Sequence, residues 1–273
     1  MQRQSLDYIA DQYVKFGGPP ADVTPRNCLT DLCSTCPLYT LGRGDMVSYS
    51  KDLVSWPSGG SAPVALDSAL LEADRLWLQD WKAHMLRPPA EAAALRHDLG
   101  LRQPYIDPEL RHPATYGKFI AELRERGMLR LSPAEGRRGL LGVFVVAKKS
   151  GQQRLVFDTR VSNTRFKPPP RTELPSGGAF ARMETQGSGD TWFSSGDLSN
   201  AFYAMQVPEG LCEYFSLLPA RAGLAGVAHL DGVPVHESDW LLPELTILPM
   251  GWSWALHLCQ CVSEAALARA YGA

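Results

Sequence analysis

The stretch from Gly142 to Phe157 restricts the fold more than any other part of the chain. GVFVVAK is β-branched and aromatic, KSGQ has turn chemistry, and QRLVF runs back with the same character. That is the pattern of two antiparallel strands joined by a tight turn. Lys149 sits in the turn and Arg154 on the returning strand, so the hairpin carries cations at its tip and on its return.

Before the hairpin the apolar period is helical. From Asp67, the residues Leu70, Trp77, Leu78, Trp81 and Met85 recur at helical spacing, which predicts one amphipathic helix with Asp67 as N-cap and Pro88 as stop. A shorter helix is expected from Ala90 to Gly100. A third, from Pro113 to Gly127, puts Tyr116, Phe119, Ile120 and Leu123 on one face and ends on a glycine suited to a left-handed cap. After the hairpin, strands are expected at Thr191 to Gly196, at Cys212 to Leu218 and on both sides of the Asp231-Gly232 turn. An Ala- and Leu-rich helix is expected from Trp254 to Tyr271.

The first 65 residues say less. A short helix from Ser5 to Phe16 is stopped by Gly17, Gly18, Pro19 and Pro20, and a Gly-, Ser- and Pro-rich stretch from Ser55 to Pro63 reads as a linker. Cys28, Cys33 and Cys36 form a C-x4-C-x2-C cluster that could give three ligands of a zinc site. The next histidine is His84 and no fourth thiol lies near, so zinc and ordinary thiols both stay open. The expected organisation is an N-terminal segment over 1–65, a helical region over 66–112 and a further domain over 113–273.

With 273 residues, 45% hydrophobic and 21% charged, the chain can bury a core and is not a disordered, collagen-like or small disulfide-stapled sequence. Its longest apolar run, Gly139 to Ala147, is half of the roughly 18 to 20 residues a spanning helix needs, and the start has no signal-peptide core. Six cysteines in such a chain read as reduced thiols, and the expectation is an intracellular protein, cytoplasmic or nuclear, with no membrane partner. The net charge of −2 hides an uneven distribution. From Arg111 to Arg171 there are 14 Lys or Arg and 4 Asp or Glu, a local balance of +10, so the remainder carries −12. Such a basic stripe suits a surface facing phosphate, and equally a solvated helix and loop.

Three further segments carry chemistry. The hairpin runs on into Arg154-Leu-Val-Phe-Asp158-Thr-Arg160-Val-Ser-Asn163; a Pro-rich crossing leads to Gly196-Asp197-Leu-Ser-Asn-Ala-Phe202-Tyr203; and Leu248-Pro-Met-Gly251-Trp opens the last helix. Read together with the hairpin, V-x-K-K-x-G, R-L-V-x-D-x-R-x-x-N, D-L-x-x-A-F-Y and L-P-x-G-W occur in the order found in reverse transcriptases, and from about Ala114 the chain resembles that family, particularly its retroelement members.

The resemblance implies an α+β fold: fingers and the first part of the palm of a right-hand polymerase, an antiparallel sheet with packed helices. It also implies template-directed transfer of deoxynucleotides to a primer 3′-hydroxyl, with Mg²⁺ or Mn²⁺ as cofactor and an RNA or DNA template-primer as partner. Asp197 then corresponds to the first catalytic carboxylate and metal ligand, with the Leu198 carbonyl beside it, and carboxylate and carbonyl oxygens suit such a cation. Lys149 and Arg154 match cations that grip the triphosphate, a task that guanidinium forks and ammonium point charges suit. Phe202 matches the aromatic that closes on the 2′ position of the sugar, and Met250 and Gly251 match a segment packing on the nucleotide. Arg160 and Asn163 match residues that steady the template. Asp158 reads instead as a structural partner for backbone or arginine, and Tyr203 as core.

The resemblance also leaves a gap. The family's second element, two adjacent aspartates on a hairpin, should follow Met250 by roughly 35 residues, yet no Asp-Asp pair occurs and only 23 residues follow Met250. A lost metal-binding carboxylate removes transition-state stabilisation worth about several kcal/mol, so the 273 residues are expected to be inactive alone and to belong with the rest of a longer polyprotein or to a decayed element. A non-catalytic nucleic-acid-binding remnant is the competing reading, and a chance match on an unrelated α/β protein a third. An RNA-directed RNA polymerase fits less well, because Phe202 would exclude the 2′-hydroxyl. No histidine has metal or nucleophile spacing, and Gly187 and Gly189 are too little for a phosphate loop.

Overall fold

The computed structural model describes residues 46–57, 63–134, 138–172, 196 and 198–272, and the chain from Met46 onward forms one unit. The expected Ser5–Phe16 helix, the three clustered cysteines, Gly187 and Gly189, Asp197 and most of the strand expected at 191–196 lie outside the described residues. So does the centre of the expected linker.

In chain order the strands are β1 (Met46–Val47), β2 (Val64–Ala65), β3 (Leu129–Pro133), β4 (Gly142–Ala147), β5 (Gln153–Asp158), β6 (Met205–Gln206), β7 (Ala220–Arg221), β8 (His229–Leu230), β9 (Val233–Pro234) and β10 (Trp240–Leu245). The α-helices are α1 (Leu66–Ala69), α2 (Glu72–Gln79), α3 (Trp81–Met85), α4 (Pro89–Asp98), α5 (Pro113–Glu125), α6 (Arg160–Asn163), α7 (Glu209–Cys212) and α8 (Ala255–Tyr271). The class is α+β. Two three-stranded antiparallel sheets, ordered β1-β4-β5 and β3-β10-β7, are joined by a two-residue parallel pair, β2-β6, and the small β8-β9 hairpin.

The hairpin forms as its composition dictates. β4 and β5 pair from Gly142 opposite Asp158 to Ala147 opposite Gln153, closed by a turn in which Gly151 N–H donates to the Lys148 carbonyl. Alternation sends Gln153, Leu155 and Phe157 inward and leaves Arg154 exposed. Gln153 is buried because it has work to do: its carbonyl oxygen accepts from Ser50 N–H (2.9 Å) and its amide donates to the Ser48 carbonyl (2.8 Å). These bonds, with β1 on β4, fasten residues 46–57 to the hairpin. Helix α5 buries Tyr116, Phe119, Ile120 and Leu123, and Gly127 beyond it has φ +66°, as its left-handed cap requires. The Asp231-Gly232 turn has positive φ at both residues, 49° and 81°, which suits the twist of a two-residue hairpin.

Two expectations need correction. The single helix from Asp67 to Pro88 is three, α1 to α3, with extended backbone at Leu70 and Leu71 and a second break at Asp80. The breaks let Leu66, Leu70, Leu78, Trp81 and Met85 all enter the core, which one straight helix would splay apart. Asp67 does not cap; Ala65 holds that position and the Asp67 carboxylate accepts from Ser68 N–H. The strand expected at Cys212 to Leu218 begins as the end of α7, and Ser216 alone there bridges to Glu244. Every residue from Tyr214 to Leu217 is buried, so the run has no period from which to tell strand from turn. β10 was not among the expected strands, and it holds Pro243, a residue unfavourable in a strand with neighbours on both sides. The proline is accommodated opposite Leu131 while its carbonyl accepts from Leu217 N–H (2.8 Å).

Candidate nucleic-acid interface

Strand β5 is the spine on which the motif segments meet. Its last residues lead into α6, and the loop before α8 folds back on that corner. Phe157 N–H donates to the Met250 carbonyl (3.2 Å), the Thr159 hydroxyl donates to the Gly251 carbonyl, and the Asn163 amide donates to the same carbonyl (3.0 Å) and to Thr159 Oγ1 (3.2 Å). Asn163 Oδ1 in turn accepts from Ser253 N–H (3.1 Å). Residues some 90 positions apart in the chain are thereby locked together.

Gly251 is the residue this corner demands. Its φ is +116°, and a Cβ there would stand 2.7 Å from the Phe157 carbonyl oxygen and 3.1 Å from Thr159 Oγ1. Conformation and space both call for glycine. The close approach is to the protein's own β5. Asn163 likewise spends both ends of its amide on the loop, so it holds Gly251 in place. Thr159 and Ser253, which complete the knot, are missing from the sequence reading; Thr159 stands at a variable position between Asp158 and Arg160 and carries no signal of its own.

Residues 198–203 dock from the other side. Leu198 is exposed, Asn200 has φ +55° and donates its amide to the Trp56 carbonyl (3.2 Å), and Phe202 lies half-buried against the core. Tyr203 is buried and its hydroxyl donates to the Leu155 carbonyl, so it is the core residue it was read to be. Burial raises the Tyr203 phenol, and the Arg154 charge partly opposes that rise, so Arg154 stands close to this turn.

Asp158 is buried and fully employed. Its Oδ2 accepts from Tyr105 N–H (2.7 Å) and Arg160 Nη2 (2.7 Å), and its Oδ1 from Arg160 Nε (2.8 Å) and Arg160 N–H (3.2 Å). Burial alone would raise the carboxyl, but the guanidinium and the two backbone donors outweigh it and hold the group below the ordinary aspartate range. Arg160 keeps most of its guanidinium in water, with the planar fork aligned by Asp158.

Four of the 14 cations in the stripe are paired with carboxylates among the described residues. Arg126 pairs with Glu122 and lies over the Trp56 ring, Arg130 pairs with Glu244 and Glu209, Arg138 with Glu213 and Arg160 with Asp158. Lys149 and Arg154 are different: both are exposed, and neither side chain has a hydrogen bond or ion pair to another described residue. Lys149 at the turn is separated from the Gly251 corner by the length of β5, roughly 17 Å at about 3.4 Å per residue.

No protein-family model matches the chain, and no curated protein matches it.

Chemically, the described surface offers cations and hydrogen-bond donors. Among the described residues no group of three or more His, Cys, Asp or Glu side chains could hold a metal ion, and no helix is long and apolar enough to cross a membrane. Two histidines pack on tryptophans: His84 stacks on Trp77 with ring centres 4.9 Å apart, and His257 meets Trp254 edge-on.

Proposed function

We propose that the chain forms the fingers and first palm segment of a retroelement reverse transcriptase, a polymerase that transfers deoxynucleotides to a primer 3′-hydroxyl under direction of an RNA or DNA template. The observation that supports this reading is the convergence on β5: the loop holding Met250 and Gly251 is bonded to Phe157, Thr159 and Asn163, and the turn holding Phe202 and Tyr203 is bonded to Leu155. Segments recognised only by their order along the chain thus meet at β5 and the corner that follows it.

In this reading Lys149 and Arg154, whose side chains are unpaired among the described residues, neutralise the incoming triphosphate. Phe202 lies against the sugar and excludes a 2′-hydroxyl, while Arg160, its fork set by Asp158, meets template phosphate. Asn163 is a positioning residue that fixes the Gly251 corner. The divalent cation such a reaction uses would stabilise charge on the phosphates; Asp197 and the Leu198 carbonyl are its assigned ligands, and the described residues do not by themselves complete that site. The compartment implied is intracellular, and the remainder of a polyprotein is the partner.

A second reading is a nucleic-acid-binding remnant without turnover, which the exposed Lys149 and Arg154 would serve equally well. Primer extension on an RNA template with Mg²⁺ and deoxynucleotides separates the two, run on this chain and on the longest open reading frame that contains it. Synthesis by the longer chain, abolished by Asp197→Asn, is the expected result. Synthesis that survives Asp197→Asn removes the catalytic assignment, and none from either chain leaves binding alone.

A further inference from the structure

Helix α4 lies in the region that no motif of the resemblance covers. Its residues Pro89, Ala92, Ala93, Arg96 and His97, followed by Gly100, fall at helical spacing on one face, and that face forms a wall of a cavity of about 470 Å³. The opposite wall is Val161, Thr164 and Arg165, on and just after α6, the helix that begins at Arg160 and carries Asn163. Arg102 closes one end.

The charge of this groove is one-sided. Arg96, Arg102 and Arg165 line it together with His97, and among the described residues no carboxylate does. The acids of α4, Glu91 and Asp98, are off the lining stripe; Asp98 approaches His97 Nδ1 at 3.5 Å, with both side chains largely in water. Arg96 is fixed in place, donating from Nε to the Leu101 carbonyl (3.0 Å) and from Nη2 to the Arg102 carbonyl, which holds the 99–102 turn against the helix. Arg102 and Arg165 are exposed and neither guanidinium bonds to a described residue. Between the cations the walls are small and apolar, so an occupant must carry spaced negative charge on a slender frame. A single-stranded nucleic acid does; a duplex is too wide for a groove of this volume, and a protein strand would need its own regular acids.

We infer that this groove binds the sugar-phosphate backbone of single-stranded nucleic acid, with Arg102 and Arg165 meeting successive phosphates and Arg96 shaping the turn that presents them. Its position behind Arg160 makes the strand the unpaired template ahead of the polymerising site; that assignment rests on the proposed function, while the chemistry of the groove does not.

The test is fluorescence anisotropy of a labelled single-stranded uridine RNA on the 273-residue chain across a salt series. Arg102→Glu with Arg165→Glu should weaken binding at least tenfold and lower the salt slope by about 1.4, two contacts at about 0.7 each for a single strand. The charge-matched pair Arg111→Glu with Lys118→Glu, exposed on another face, should do far less, and thermal melts should show all chains folded. Arg102→Gln with Arg165→Gln supplies the same reading without charge reversal if the reversed pair melts early. Equal losses from both charge-reversed pairs, no loss from the groove pair, or no binding by the unsubstituted chain overturns the groove. Loss confined to the groove variants together with absent primer extension by the longer chain keeps the groove and removes the polymerase reading. Intact extension with unchanged RNA affinity does the opposite.

Discussion

In the sheet β3-β10-β7, Arg130 donates Nε to Glu244 (2.9 Å) and Nη1 to Glu209 (2.7 Å), and Arg221 lies 4.8 Å from the Trp240 ring centre. In the sheet β1-β4-β5, the side chains of Lys149 and Arg154 have no hydrogen bond or ion pair to a described residue. The first sheet buries the carboxylate Glu244 on its central strand and must neutralise it, because a charge removed from water without a partner costs several kcal/mol by general estimates. The second sheet buries no acid on the hairpin's outward face until Asp158, and that acid is satisfied by Arg160. Cation count therefore says little about binding; what distinguishes the hairpin is that its positive charge is not consumed.

The comparison can be broken or sharpened by substitution. The largest effect is expected at the corner where the hairpin meets the Gly251 loop: Gly251→Ala, with its positive φ and a Cβ 2.7 Å from the Phe157 carbonyl, should cost about 3 kcal/mol in chemical denaturation. Glu244→Ala, which leaves the partly buried Arg130 with only the exposed Glu209, should cost about 2 kcal/mol; a neutral result would mean that the charge pairing of the β3-β10-β7 sheet is dispensable. Asn163→Ala removes three bonds of the knot but can admit water at a half-buried site, and about 1 kcal/mol is expected. For Asp158 the sign follows from its lowered carboxyl. Its stabilisation is complete above the ordinary aspartate value, 3.8, and is lost as pH falls below that through the folded value. Asp158→Asn should flatten that acid limb of the melting curve. The smallest change in stability, within about 0.5 kcal/mol, belongs to Lys149→Ala and Arg154→Ala. The same two variants should weaken binding of a deoxynucleoside triphosphate or template, measured by titration, and unchanged affinity would put the hairpin on a level with the other sheet.

Legibility in the sequence followed the spacing of apolar residues and the local chemistry of turns. The β4-β5 hairpin, α5 with its Gly127 cap, the Asp231-Gly232 turn and α8 were all readable, because each is specified by neighbours a few positions apart. Asp158 and Tyr203 were read correctly as structural for a related reason: a partner two residues away, or an aromatic beside an apolar run, is local information. α1 to α3 were misread because their apolar period runs on through the backbone breaks at Leu70, Leu71 and Asp80, and the Cys212–Leu218 segment because burial of Tyr214 to Leu217 erased the period. β10 was missed because the backbone tolerance of Pro243 depends on what lies opposite.

By itself the sequence determined the elements with a clear period, the uneven charge and the order of four motifs, since all of these are written in adjacent or regularly spaced residues. Only the tertiary structure decided that Asn163 holds Gly251, that Arg126, Arg130, Arg138 and Arg160 of the basic stripe are paired with carboxylates, and that Arg96, Arg102 and Arg165 line one groove. Those outcomes depend on distances between residues remote in the chain, which are set by packing around a shared core and leave no mark in the local pattern.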